Sequence, residues 1–223
     1  MKPVAQASDS CTVVPSRIER RKAHTRKKLV DAARVMLATD TAAQASIQEI
    51  TDAADVGFGS FYNHFSSKNE LFAAAVDDVL EELGELLDQL SVDVEDPALA
   101  FAQSVRLTLR VCRSRPQISA VLVRHGMSYV DSTRGLSPRA LRDIQAGVAS
   151  GRFTITEPRL ARSAVAGAVL ATLHLSLTDP GLVDDTACDQ LAEQLLRMLG
   201  VPPEEAHALA NTPLPAADSP VHG

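Results

Sequence analysis

At 223 residues, 45% of them hydrophobic, the chain is long for one domain and short for two large ones, so a small module joined to a larger one fits best. Aromatics at 4% and the absence of Trp leave a core of Ala, Leu and Val, a helical composition; no apolar stretch is expected to span a membrane, and no N-terminal export leader is expected. A net charge of −6 argues against nucleic acid when read globally, and three scattered cysteines, Cys11, Cys112 and Cys188, exclude a disulfide framework or a zinc pattern and favour the cytosol.

Residues 1–15 are polar, lack apolar periodicity and are expected to form a disordered tail. The charge distribution then reverses the global reading. Residues 16–34 hold eight basic side chains (Arg17, Arg20, Arg21, Lys22, Arg26, Lys27, Lys28, Arg34) against Glu19 and Asp31, whereas residues 71–223 hold 12 basic and 20 acidic ones. A concentrated basic end is what phosphates require. The plainer alternative, a solvated basic tail on an ordinary protein, loses ground beside the sequence that follows. A first helix is predicted from Ser16 or Ala23 to about Ala38, with Leu29, Val30, Ala33, Met36 and Leu37 as its apolar stripe.

The stretch SIQEITDAADVGFGSFYNHFSSK, Ser46 to Lys68, reads as two short helices and a tight turn. Ser46 with Glu49 forms a capping box, and Ile47, Ile50 and Ala54 give the first helix one apolar face. Asp52 and Asp55 lie off that face, and Gly57 is expected to take a positive φ at the end of the helix or in the turn. A second helix is predicted to carry Ser60 to Phe65, burying Phe61 and Phe65. Ser60, Tyr62, Asn63 and His64 then point elsewhere with hydrogen-bonding side chains. Gly59 leaves room for another backbone to approach. This is the layout of a helix-turn-helix whose second helix lies in the DNA major groove.

Val56 to Phe72, VGFGSFYNHFSSKNELF, resembles the DNA-binding domain of the TetR family of bacterial transcriptional repressors, with the matching region running from about Ala23 to about Leu83. Gly59, Ser60, Phe61, Tyr62, His64, Phe65, Ser67, Lys68, Glu70 and Leu71 fill the family's pattern. One departure is Phe58, where many members carry Lys; an apolar group there suits a thymine methyl better than a phosphate. The resemblance implies that Thr25 and Arg26, at the start of the first helix, rest on the phosphate backbone, with Lys22 a further candidate. Tyr62, His64 and Lys68 are expected on phosphates, and Ser60 and Asn63 on phosphate or base edges. Gln48, and Ser46 at the head of the same helix, complete the expected DNA-facing set. Phe58 and Asn63 are the candidates for sequence choice.

After Lys68 a long helix is predicted, capped by Ser66 or Ser67. Leu71, Phe72, Ala75, Val79, Leu83, Leu86, Leu87 and Leu90 line one side, and Asp77, Asp78, Glu81, Glu82, Glu85 and Asp88 the other. It would link the helix-turn-helix domain, residues 16–67, to a larger helical domain, residues 68–201. Further helices are predicted from Asp96-Pro97 to Arg113, Pro116 to Val130, Ser137-Pro138 to Ser150, Thr156-Glu157-Pro158 to Thr178, and Asp184 or Asp185 to Gly200. Residues 202–223 are expected to be a flexible tail with a weakly helical patch.

Of the last two long helices, the first, LARSAVAGAVLATLHLSL, is apolar nearly all round, with Ala164, Gly167, Ala168 and Ala171 as small residues. Such a helix is either a central core helix or a dimer interface in which two helices from each subunit form a four-helix bundle. The family resemblance implies the second, and a two-fold dimer suits a pseudo-palindromic operator.

In the larger domain Phe101, Thr108, Cys112, His125, Met127, Tyr129 and His174 are the polar or polarisable groups near apolar helical stretches. They are the candidates for lining a pocket between helices, whose wall composition favours an apolar and sizeable small-molecule effector. No HExxH, glycine-rich phosphate loop or GxSxG elbow is present, so no catalytic site, metal or cofactor is expected. The reading is an all-α protein, a helix-turn-helix domain plus a helical effector-binding and dimerisation domain, acting as a repressor released by a small molecule. The competing reading is a helical ligand-binding or redox-sensing protein, using Cys112 or Cys188, whose first domain has lost specific DNA recognition.

Overall fold

The computed structural model describes residues 16–39 and 41–215; the side chain of Met127 lies outside the description, as do the expected tail 1–15 and residues 216–223. Among the described residues there are ten helices and no strand: α1 (Arg17–Ala38), α2 (Ile47–Ala53), α3 (Phe58–Phe61), α4 (Lys68–Leu90), α5 (Pro97–Arg113), α6 (Pro116–Val130), α7 (Leu136–Ala149), α8 (Pro158–Thr178), α9 (Asp185–Met198) and α10 (Pro203–Ala210).

The first three helices enclose a small core. Leu29, Val30, Ala33 and Leu37 of α1 meet Ile50 of α2 and Phe61 of α3, all buried, with Phe65, Leu71 and Phe72 closing the base. Local chemistry fixes each start. Ser16 and Ser46 each form a complete capping box, with Glu19 and Glu49. At α4 the work is divided: Ser67 accepts from the Glu70 amide, while the Glu70 carboxylate takes the Ser66 amide and hydroxyl at 2.7 and 2.6 Å.

Two details of the helix-turn-helix differ from the sequence reading. Gly57 sits at φ −65°, and the left-handed residue is Asp55, at φ 51°. A short polar side chain tolerates that region better than most, and the Asp55 carboxylate lies 3.0 Å from Lys28 Nζ of α1. The second helix is also shorter. Regular α-helix ends at Phe61, and Tyr62, Asn63 and His64 follow in tight turns, with His64 N–H donating to the Phe61 carbonyl at 2.9 Å.

Helix α4 leaves this core and runs into the second domain, where it packs on α6 and α7. Helices α5, α7 and α8 enclose the second core around Phe101, Leu109, Ile144, Phe153, Val165 and Leu173. Gly147 is required there, because a Cβ would lie 2.1 Å from the Phe153 ring. α6 is interrupted at His125, whose backbone leaves the helical region just before Gly126, the residue that lets α6 close on Leu170 of α8. α8 is long and apolar enough to cross a membrane by length and composition, contrary to the expectation from the sequence, yet it packs against α5, α6 and α7 and carries Arg159 and Arg162.

Residues 203–212 are likewise more ordered than a flexible tail. α10 buries Ala206 and Ala210 against α9 and α5. Arg106 of α5, only 4% exposed, donates to Asp189 of α9 at 2.7 Å and to the Thr212 carbonyl at 2.6 Å, so one buried guanidinium ties three segments together. Removing its carboxylate leaves a buried charge half-paired. Asp189→Ala is expected to lower unfolding stability by about 3 kcal/mol, measurable by chemical denaturation.

Candidate nucleic-acid interface and ligand cavity

The helix-turn-helix presents an exposed surface built from α1, α3 and the turn after it. Phe58 and Tyr62 stand out at 47% and 56% exposure, large aromatics that the chain itself leaves uncovered. Tyr62 packs edge-on against buried Phe61, with centroids 5.3 Å apart, and against Phe58 at 6.0 Å, which directs the pair outward as one unit. Arg26 of α1 lies over the Phe65 ring at 5.0 Å, fixing the basic end of α1 beside the turn. Burial, then the charges of Lys22 and Arg26, depress the His64 imidazole below its ordinary value. Gly59 faces open space, so nothing inside the protein demands a glycine there.

Several expected DNA-facing groups have internal partners. The Ser46 hydroxyl is engaged by Glu49 at 2.8 Å, Gln48 donates to Asp52 at 2.7 Å, and Thr25 donates to the Arg21 carbonyl at 3.1 Å. Lys68 Nζ donates to the carbonyls of Ala43 and Ala45 at 3.1 and 3.0 Å, clamping the loop before α2. Asn63 is exposed and Ser60 half-buried, both beside the aromatic pair.

The second site is a cavity of about 140 Å³ between α4, α5, α6, α7 and α8. Its apolar wall includes Phe101, Val105, Leu122, Val165, Val169 and Leu173. One side is charged. Arg139 of α7 donates from Nε to Asp88 at 2.7 Å and from Nη2 to Glu81 at 2.9 Å, both on α4. Arg142 donates to the other Asp88 oxygen at 2.7 Å and lies 2.8 Å from Asp143. Burial pushes the Asp88 carboxyl up, but hydrogen bonds from Arg139 and Arg142 outweigh it and hold it below the usual range. Burial dominates at Asp143 and at Asp77, raising both. Gly84 makes this layer possible: a Cβ there would sit 2.7 Å from the Arg139 guanidinium, so only glycine lets Arg139 lie flat on α4 between Glu81 and Asp88.

Of the residues expected to line a pocket, Phe101, Thr108 and Tyr129 do so. Tyr129 also donates to the Ala73 carbonyl of α4 at 3.2 Å. Cys112 is buried in the core outside the cavity, its thiol pushed up to about 12 by burial, which leaves it protonated and inert. His125 marks the kink of α6 and is not in the wall, and His174 is exposed on another face of α8. The Met127 side chain lies outside the described residues.

Residues 29–75 match the family described as bacterial regulatory proteins, tetR family, and residues 96–212 match the tetracycline repressor-like C-terminal domain. A crystal structure of RolR in complex with resorcinol is 32% identical, covering 88% of this chain and 98% of that one, with a TM-score of 0.72. The chain belongs to the TetR family. RolR without ligand superposes at a TM-score of 0.70, with 32% identity over 85% of this chain and 98% of that one. The fatty acid degradation regulator FadR from Bacillus halodurans shares the fold at 18% identity, covering 77% of this chain and 94% of that one, with a TM-score of 0.61. No curated protein matches the chain.

As a TetR-family transcriptional regulator, the protein has a DNA-binding helix-turn-helix in α2–α3 and a helical C-terminal domain. What the sequence reading missed in the cavity is its charged side. Asp77, Asp88, Arg134, Arg139, Arg142, Asp143 and Arg162 all line it. The available signal was Gly84, a lone glycine in a long helix, on the same face as Asp77, Glu81 and Asp88. For the DNA-facing surface, the His64 imidazole is expected to titrate below 6.5 in the free protein, and Lys22→Gln is expected to move the midpoint back up, both followed by NMR.

Proposed function

We propose that this protein is a homodimeric, cytoplasmic repressor that grips a pseudo-palindromic operator and is released when a small hydroxylated aromatic compound fills the cavity. The observation that carries this reading is the double engagement of α4. Its Glu82 carboxylate holds Arg34 of α1 through two bonds, at 2.5 and 2.6 Å, while Glu81 and Asp88 of the same helix hold the cavity residue Arg139. A molecule that draws Arg139 away from α4 therefore acts on the helix to which the DNA-reading head is clamped.

Cavity size and chemistry support the ligand class. A volume of about 140 Å³ is close to that of an engineered cavity of ~150 Å³ that holds benzene. This is room for one substituted ring, smaller than the sizeable ligand that wall composition had favoured. RolR is crystallised with resorcinol, a ring with two hydroxyls. In this chain such hydroxyls would meet Asp88, Arg139, Arg142 and Asp143, with acceptors and donors both present.

For DNA, Tyr62, His64 and Arg26 take phosphates, Thr25, Gln48, Ser60 and Ser46 flank them, and Asn63 and Phe58 read base edges. Gly59 lets the sugar-phosphate backbone approach, which accounts for a glycine facing open space. Lys68 supports the head from within through its two carbonyl bonds and reaches phosphate with its remaining donor. The dimer forms through α8 and α9. Leu160, Ala164, Gly167, Ala171 and Leu175 make one exposed stripe along α8, and Gln194 and Met198 are exposed on α9. Small residues in that stripe permit close helix approach.

Selection of random duplex DNA at near-physiological salt tests the reading. It is expected to recover an inverted repeat, and resorcinol is expected to release it; salt-weakened, nonspecific binding alone would overturn it. Gly84→Ala supplies an independent check. The substitution displaces Arg139 from Glu81 and Asp88, so resorcinol affinity measured by calorimetry is expected to fall, while a gain of about 1 kcal/mol in helix propensity offsets part of the stability lost with the ion pairs.

A further inference from the structure

The guanidiniums of the cavity wall are paired one by one, with one exception, while among the wall carboxyls Asp77 of α4 has no bonded cation among the described residues and is raised by burial. Arg139 has Glu81 and Asp88, Arg142 has Asp88 and Asp143, and Arg134 lies 3.7 Å from both Asp78 and Glu81. Arg162, which enters the wall from α8, has no hydrogen bond or ion pair among the described residues, and its Nε is buried without a partner. Arg110 and Arg113 also carry an unbonded Nε, but their terminal nitrogens pair with Asp185 and, for Arg110, Asp189 as well. Arg162 is thus the one cavity guanidinium left without an anion by the described chain.

Arg134, Arg139 and Arg142 are matched by Asp78, Glu81, Asp88 and Asp143, so the cation left over in the wall is Arg162. A guanidinium is planar, permanently charged and matched in geometry to a carboxylate, which it binds through two parallel bonds.

We infer that Arg162 is an anion anchor and that the effector is a ring bearing a carboxylate as well as hydroxyls, a hydroxybenzoate rather than a neutral diphenol. The inference rests on the cavity being the effector site. The hydroxyls occupy the Asp88–Arg139–Arg142–Asp143 side, and the carboxylate turns toward α8. Because α8 carries the exposed stripe on its other side, an anion held by Arg162 also touches the helix proposed to join the two subunits.

Calorimetry on the full chain tests this, comparing resorcinol with dihydroxybenzoates that keep its two meta hydroxyls and add one carboxylate. The carboxylated ring is expected to bind roughly ten- to one-hundred-fold tighter. Arg162→Met is expected to bring that ratio to about one, and Arg162→Lys to restore part of it. Equal or tighter binding of resorcinol by the unmodified protein would overturn the inference and leave the cavity reading intact. So would equal losses for both compounds in Arg162→Met, which would make Arg162 a wall residue only. Binding of neither compound by the unmodified protein would overturn the cavity reading and the inference with it.

Discussion

The link between the DNA-reading head and the cavity depends on the row of carboxylates along α4. Glu82 faces the DNA-reading head and holds Arg34 through a bidentate pair. Asp88 lines the cavity, and together with Glu81 it holds Arg139. The Arg34–Glu82 pair is bidentate and fixes orientation as well as distance, so two arginines, one from each domain, add directional restraint to an α4 already packed through its buried face. Glu81 is held in its charged form chiefly by the Arg139 bond and further by the Gly135 amide. Replacing the Arg139 contacts with ligand contacts changes what restrains α4 without breaking the head itself. A ligand shifts such an equilibrium only by its differential affinity for the two positions.

α8 has an equally double character. Its inner side closes the cavity with Arg162, Val165, Val169 and Leu173, and its outer side leaves Leu160 and Leu175 in the open at 71% and 39% exposure. That exposed apolar stripe supports the proposed contact between subunits. One helix therefore borders both the cavity and the proposed partner subunit, and α4 borders both the cavity and the DNA-reading head. The cavity lies between the two elements that would set the spacing of the reading heads.

The DNA-reading head was legible because its signals are local. The capping box at Ser46 and Glu49, the Phe61–Phe65 spacing and the serine caps before α4 each specify geometry within a few residues. The exceptions are instructive: Asp55 takes the left-handed position for which Gly57 was the obvious choice, and α3 is too short to carry Tyr62 to His64 as helix. The charged side of the cavity was illegible for the opposite reason. Asp88 and Arg139 are 51 residues apart, and each taken alone reads as a solvated charge. Apolar periodicity finds which face of a helix is buried; it does not find a buried pair of opposite charges. α10 was legible only as a weakly helical patch, because its small residues, Ala206 and Ala210, give a weak apolar stripe although they pack fully.

The most direct test of the central claim is the coupling free energy between cavity and operator. Ligand affinity is measured with and without operator DNA, and operator affinity with and without ligand; linkage requires the two ratios to agree. The account predicts that Glu82→Gln, which loosens Arg34 and leaves the cavity wall untouched, shrinks this coupling strongly while ligand affinity in the absence of DNA stays the same. Coupling of full size in Glu82→Gln would show that the signal does not pass through the α4 clamp.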